Sequence, residues 1–503
     1  MYFGMLLNFL KLRLAHMKSF KATMNFVNLH RPTTNRAFGV GEREEFRGVS
    51  LYRIQQYYRT VFTKLVNSIL QKQWITKCQD SSEKTIRLTG GDEVDNQLGR
   101  QHILLTTMVG REFNNNYGGT LQAFALWQFL HFSGYYVEIL DYNPSIPRVS
   151  TSDLLSKLKH IYRNLCKLFK RDGIKKALFK VRKKVYGRIT SEIASYTSVR
   201  AEVFKEFRSD FMSFTQKKYE SFADVQIDSA HFLNQFEVFM VGSDQVWNPE
   251  MVNDDRLRVY LLGFLPKGKK VSYASSVSAT IPDEVIELYR AHLQKFHAIS
   301  VREKVSAEEI RKILGYTPVI NADPTILLTP EEWGNVIKQP DFTPEKPFIF
   351  VYDLYRSEDI LPVVEKLSRR DHFKYVNYDP LALYRKRYKN LQFNFYREGP
   401  SEFLWLIKES DFVVTSSFHG VVFSVLFKKP FYAILWNTKE KAGQNDRIIH
   451  FLSELGLEDR CTQNPKDLLR KSLTDNIDWT KVSEKLEELR SRSAQWLLDK
   501  LNS

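Results

Sequence analysis

Six segments of this 503-residue chain concentrate side chains that can hold an anion or move a proton. The densest is Thr415-Ser416-Ser417-Phe418-His419-Gly420, with two adjacent serines, an imidazole and a glycine. At a helix start, such a run offers hydroxyls and free backbone N–H groups to an anion. His419 adds an imidazole near the first turn of that helix, and Gly420 permits close approach. The alternative is structural: Ser416 or Ser417 as a helix N-cap and His419 as a satisfied polar residue. Arg302, in Val301-Arg302-Glu303, carries a planar fork that matches phosphate or carboxylate. Its alternative is a surface ion pair with Glu303 or Glu308. Asn116-Tyr117-Gly118-Gly119 can bring backbone up to a ligand or make a tight turn. In Gly242-Ser243-Asp244-Gln245, Asp244 suits a helix cap first and a general base second. Asp323-Pro324 reads first as a turn. Arg447 closes the polar loop Gly443–Arg447, facing either a ligand or solvent.

These segments need strands to end beside them. Residues 102–108 are strand-like, and a helix with Thr120 near its start is expected over 120–132. Gly134 stops it, and 135–140 form the next strand, which makes a βαβ unit. Further strands are expected at 236–241, 270–275, 298–301 and 319–322, with a helix at 305–314. Pro330, Pro340, Pro344 and Pro347 mark a linker. A second series follows: strands at 347–352, 373–377, 411–415 and 430–435, and helices at 359–370, 400–408 and 421–427. The chain closes in helices, including 479–501. The pattern predicts an α/β protein of two Rossmann-like domains around a central cleft. The domains are 101–335, with a helical insertion at about 153–220, and 336–503 with the closing helices. Residues 1–100 form an N-terminal extension with one amphipathic helix at Leu51–Trp74. Ligands of open parallel sheets bind beyond the carboxyl ends of the strands, where five of the six segments fall.

The composition narrows the partners. Net charge is +16, but about +8 sits in residues 1–100, about +11 in 153–220, and the remainder is near −3. A body that close to neutral argues against nucleic acid. The basic helices read as a solvated insertion, with peripheral contact to an anionic membrane or acidic glycan as the sharper alternative. Three scattered cysteines, Cys78, Cys166 and Cys461, form no zinc spacing and suit a reducing cytoplasm. No apolar run reaches membrane-helix length, and residues 1–14 make a poor secretory signal. P-loop, GxGxxG, HExxH and GxSxG motifs are missing, and Asp254-Asp255 does not make a metal cluster.

Taken together, the segments resemble the polysaccharide pyruvyl transferase family over residues 101–455. The resemblance is carried by Asn116-Tyr-Gly-Gly-Thr-Leu-Gln-Ala-Phe-Ala125, Val241-Gly-Ser-Asp-Gln-Val-Trp-Asn-Pro249, Ser272-Tyr-Ala-Ser275, Ser300-Val-Arg-Glu303, Asp323-Pro-Thr325 and Thr415-Ser-Ser-Phe-His-Gly420. One departure is Ser276-Val-Ser278, where many relatives have a small residue followed by Phe-Gly. The resemblance implies a GT-B-like fold and transfer of pyruvate from phosphoenolpyruvate to a sugar as a cyclic ketal in bacterial surface polysaccharide synthesis. It implies no cofactor and no metal. His419 and Arg302 would contact the donor. Asp244 would act as base, and Ser416, Ser417, Gly420, Asn116, Gly118, Gly119, Ser243, Asp323 and Arg447 would line the substrate site. The acceptor would be a sugar or lipid-linked oligosaccharide in the cytoplasm. Competing readings are a GT-B glycosyltransferase using a nucleotide sugar, and a non-catalytic glycan- or membrane-binding protein.

Overall fold

The computed structural model describes residues 101–112, 115–144, 196–354, 356–379, 388–437, 445–473 and 477–503. The extension at 1–100, its helix at 51–74 and most of the insertion lie outside them.

The first sheet is built from β1 (His102–Thr106), β2 (Tyr136–Ile139), β3 (Val238–Val241), β4 (Lys269–Ser275), β5 (Ala298–Val301) and β6 (Val319–Ile320). All are parallel, in the order β2-β1-β3-β4-β5-β6. The second sheet holds β7 (Phe348–Tyr352), β8 (Lys374–Asn377), β9 (Leu391–Asn394), β10 (Phe412–Thr415), β11 (Phe431–Ile434) and β12 (Cys461–Thr462). It too is parallel, in the order β12-β11-β10-β7-β8-β9. The central strands are apolar runs buried along their length, such as Phe348–Tyr352 and Phe412–Thr415. Helices on both faces force this pattern in parallel sheets. The architecture is therefore two Rossmann-like α/β halves in a GT-B-like arrangement.

Six helices matter for the site. They are α1 (Tyr117–Phe132), α2 (196–211), α3 (Lys304–Leu314), α4 (Phe418–Leu426), α5 (Asp446–Leu455) and α6 (Trp479–Asn502). One apolar cluster runs through both halves, and each half has a further cluster of its own. Tyr117 at the start of α1 stacks on Phe403 of the second half at 4.3 Å between ring centroids, and Trp333 lies between Phe124 and Phe423, tilted to the first and edge-on to the second.

Several element boundaries move from their sequence-based positions, each for a local reason. The α1 helix starts at Tyr117 rather than Thr120, because the Asn116 side chain caps it by accepting from Gly119 N at 3.1 Å. The α4 helix starts at Phe418, capped by Ser417, so His419 lies in its first turn. Pro330 opens a short helix with a Thr329/Glu332 capping box instead of a linker. Residues 446–455 are helical, so Arg447 belongs to a first turn and not to a loop. The long basic helices expected to reach residue 220 end at 211. Beyond that point Ser213 and Thr215 bond to the backbone of Ile139, and Tyr219 to that of Asp141, in extended conformation.

Two features break the simple division into halves. The α6 helix, expected to close the second domain, also crosses onto the first. Ser493 Oγ accepts from Ala322 N at 3.1 Å, and Lys269 Nζ donates to the Leu501 carbonyl at 2.7 Å. On α2, Arg200 and Arg208 are buried. Arg200 lies over the rings of Tyr117 and Phe204 and donates to the carbonyls of Asn115 and Tyr396. These two arginines of the basic stretch face the protein interior. Among the described residues no helix is long and apolar enough to cross a membrane.

Candidate functional site

The site is centred on Arg302, which follows β5 and is almost fully buried. Its Nη1 donates to Asp323 Oδ2 at 2.7 Å and its Nη2 to Asp244 Oδ1 at 3.3 Å, while Glu303 Oε2 lies 3.6 Å from Nε. Three carboxylates thus surround one guanidinium and hold its pKa above the usual value despite burial. The alternative reading, a surface ion pair with Glu303 or Glu308, gives way to this interior cluster, in which Glu303 is one of three partners.

The three carboxylates are held differently. Asp323 accepts from Thr325 N at 3.0 Å and Thr325 Oγ1 at 2.7 Å, and its Oδ2 lies 3.5 Å from His419 Nε2. Burial pushes its pKa up, but His419, Arg302 and Thr325 outweigh that and leave it well below the carboxylate range. Asp323 is thus more than a turn residue. The Glu303 carboxylate receives the hydroxyls of Ser276, at 2.7 Å, and Ser306. Ser276 and Ser278, the departure from the family pattern, therefore secure Glu303. Asp244 caps no helix. Its backbone is left-handed at φ 69°, and its carboxylate reaches Arg302 and, at 3.9 Å, Arg447 Nη1.

Arg447 arrives from the first turn of α5. With the Gln245 amide oxygen turned toward it, Gln245 accepts from both of its Nη atoms at 2.7 and 2.8 Å. Burial and the neighbouring Arg302 push its pKa down to about 10, which leaves it charged at neutral pH. Arg302 and Arg447 both approach the ring of Phe418, at 4.9 and 6.0 Å from its centroid. A small cavity is lined by these two arginines, Asn321, Asp323, Phe418 and His450. Asn321 Nδ2, His419 Nε2 and the Nε atoms of both arginines are buried without a hydrogen-bond partner.

His419 is placed by two helices, one from each half. A Cβ on Gly118 would sit on His419 Nδ1, so the first turn of α1 can meet the imidazole only as glycine. Gly242 is fixed in the same way: its φ is +127°, and a Cβ there would strike the Tyr273 carbonyl. Ser243 then donates from N to Gln122 Oε1 at 3.1 Å and from Oγ to the Ala274 carbonyl at 2.7 Å. Two helix N-termini converge here, and their dipoles favour negative charge.

The structure brings His419, Arg302, Asp244, Asp323, Arg447 and Gly118 together. Ser243, Asn116, Gly119 and Gly420 shape the backbone around them. Ser416 points elsewhere, donating to Asp353 Oδ1 at 2.7 Å, and Ser417 is the α4 cap. Sequence reasoning did not single out Gln245, Asn321, Phe418 or His450. For Gln245 and Phe418 the signal was position, each sitting beside a chosen residue inside a quoted motif. For Asn321 and His450 there was none.

The family model for polysaccharide pyruvyl transferase matches residues 116–438. No protein of curated function matches the sequence. Solved structures of similar shape include UDP-N-acetylglucosamine 2-epimerase from Rickettsia bellii, at TM-score 0.46 and 8% identity over 80% of this chain and 96% of that one. The UDP-GlcNAc 2-epimerase from Methanocaldococcus jannaschii gives 0.44 and 11% over 78% and 99%. A glycosyltransferase from Rickettsia africae gives 0.37 and 12% over 78% and 99%. Nothing about this chain's chemistry follows from likenesses at those scores. The match over residues 116–438, which includes the strand ends that supply Asp244, Arg302, Asp323 and His419, shows that the chain belongs to the polysaccharide pyruvyl transferase family.

Proposed function

We propose that the protein transfers the pyruvyl group of phosphoenolpyruvate to two hydroxyls of one sugar, forming a cyclic ketal for bacterial surface polysaccharide. The acceptor is a sugar or a lipid-linked oligosaccharide in the cytoplasm. The observation that supports this reading is the buried Arg302 and the largely buried Arg447 near His419, with donors left over around one small cavity. Phosphoenolpyruvate carries a carboxylate and a phosphate on the same carbon. Two guanidiniums and the paired helix N-termini offer complementary charge.

In this reading the methylene carbon of the donor takes a proton, with His419 as the acid. A sugar hydroxyl then attacks the cationic carbon and loses its proton to Asp244, the most exposed carboxylate of the cluster. Phosphate leaves with the C–O bond electrons, and a second hydroxyl closes the ring and gives up its proton. One proton ends on the new methyl group and one on the phosphate, so donor plus diol balances ketal plus hydrogen phosphate. Acid and base positioning of this kind contributes roughly 10²–10⁴-fold each.

The test is to incubate the purified protein with phosphoenolpyruvate and candidate glycans, following phosphate release and a pyruvate-sized mass gain on the glycan. His419→Ala is expected to lower turnover by at least ~100-fold with an unchanged circular dichroism spectrum. Wild-type turnover in that variant would remove His419 from the chemistry. Consumption of a nucleotide sugar in place of phosphoenolpyruvate would move the protein to glycosyl transfer.

A further inference from the structure

Two guanidiniums buried side by side repel each other unless an anion lies between them. Asp244 Oδ1 fills that place, 3.3 Å from Arg302 and 3.9 Å from Arg447. The three carboxylates around Arg302 are not equivalent. Asp323 is tied to Thr325 and His419, and Glu303 to Ser276 and Ser306. Among the described residues, the Asp244 carboxylate meets only the two arginines. Its side chain is 16% exposed against 1% for Asp323 and 0% for Glu303, so it stands at the mouth of the cluster while the others form its floor.

We infer that the Asp244 carboxylate is an internal stand-in for the donor's anionic group, which displaces it from the Arg302–Arg447 pair on binding. This rests on the donor reading above and adds an order of events. The donor anion takes over the arginines, and the Asp244 carboxylate, released from two cations, is free to accept the hydrogen bond and then the proton of the incoming hydroxyl. Before the donor binds, the same carboxylate is neutralised and idle. The acceptor hydroxyl is therefore activated only after the donor has bound.

Asp244→Asn tests this, since asparagine tolerates the left-handed backbone and removes the competing charge. Binding of inorganic phosphate and of phosphoenolpyruvate to the full-length protein is measured by calorimetry. Removing the competitor is expected to tighten both, by roughly 10-fold. In phosphate-free buffer the variant melts below the wild type, and added phosphate raises its melting temperature by more than that of the wild type. Asp323→Asn, which releases Arg302 from its anchor, is expected to weaken binding. Asp244→Ser gives the same reading should the amide variant fail to fold. Equal or weaker phosphate binding by both Asp244 variants overturns the inference.

Phosphate release from phosphoenolpyruvate by the wild type, followed in parallel, tests the donor reading by itself. Turnover without a gain in the Asp244 variants overturns the stand-in alone. A gain for inorganic phosphate without turnover supports the stand-in and removes the donor assignment.

Discussion

Arg302 and Gly118 are residues whose shape matters beyond their charge or polarity. Arg302→Lys keeps the positive charge but loses the planar fork that spans Asp323 and Asp244. A hydrogen bond to a charged group contributes about 1.5–3 kcal/mol, so kcat/KM for the donor is expected to fall roughly 10–100-fold. Steady-state kinetics at fixed acceptor read this, and an unchanged value would mean that the fork does not hold the donor. Gly118→Ala drives a methyl into the imidazole of His419. The expected outcome is loss of turnover together with about 1–3 kcal/mol of stability, read from urea unfolding; a fully active, equally stable variant would contradict the close contact. Both residues are visible in the sequence as members of short motifs. That Gly118 abuts His419, three hundred residues away, is not.

The elements hold the site by joining the two halves at α1. Tyr117 donates to the carbonyl of Glu398 at 2.7 Å, and Arg200 of α2 braces both sides of that contact. In this loop burial pushes the Glu398 carboxyl up to about 7, and its Oε2 has no hydrogen-bond partner. The folded state thus keeps a proton that the unfolded chain releases near pH 4.5. Stability contributed by this group is full below about pH 4.5 and falls as pH rises toward 7. The penalty above pH 7 is at most ~3 kcal/mol, reduced by partial exposure. Glu398→Gln is expected to raise the melting temperature at pH 8 and to change it little at pH 5; the same shift at both values would assign the effect to something other than ionisation. Helix starts were misplaced by three residues at α1 and α4 for a shared reason. The caps Asn116 and Ser417 precede glycine and aromatic residues that do not show helical periodicity, whereas the periodic apolar residues begin a turn later.

Across the molecule, α6 ties the carboxyl end of the chain to the first sheet, and Leu497 within it is fully buried. Leu497→Ala is expected to cost about 2–5 kcal/mol, seen as a lower denaturation midpoint. An unchanged midpoint would mean that the crossing helix adds no stability. The parallel strands, their alternation with helices and the loops at the strand ends are all legible along the chain. Those are written locally, in buried apolar runs, glycines and caps. The sequence also singled out Arg302, His419 and Asp244 by residue type and position. That Asp244, Asp323 and Glu303 all face Arg302, that Arg447 enters from a helix and that α6 crosses back emerges from the packed fold. Glu303 aside, which adjoins Arg302 in sequence, these arrangements rest on contacts between residues 21 to 232 positions apart. Local pattern carries no information about such pairings. They form when the packing of two sheets brings buried charges together, and each buried charge must then find a partner.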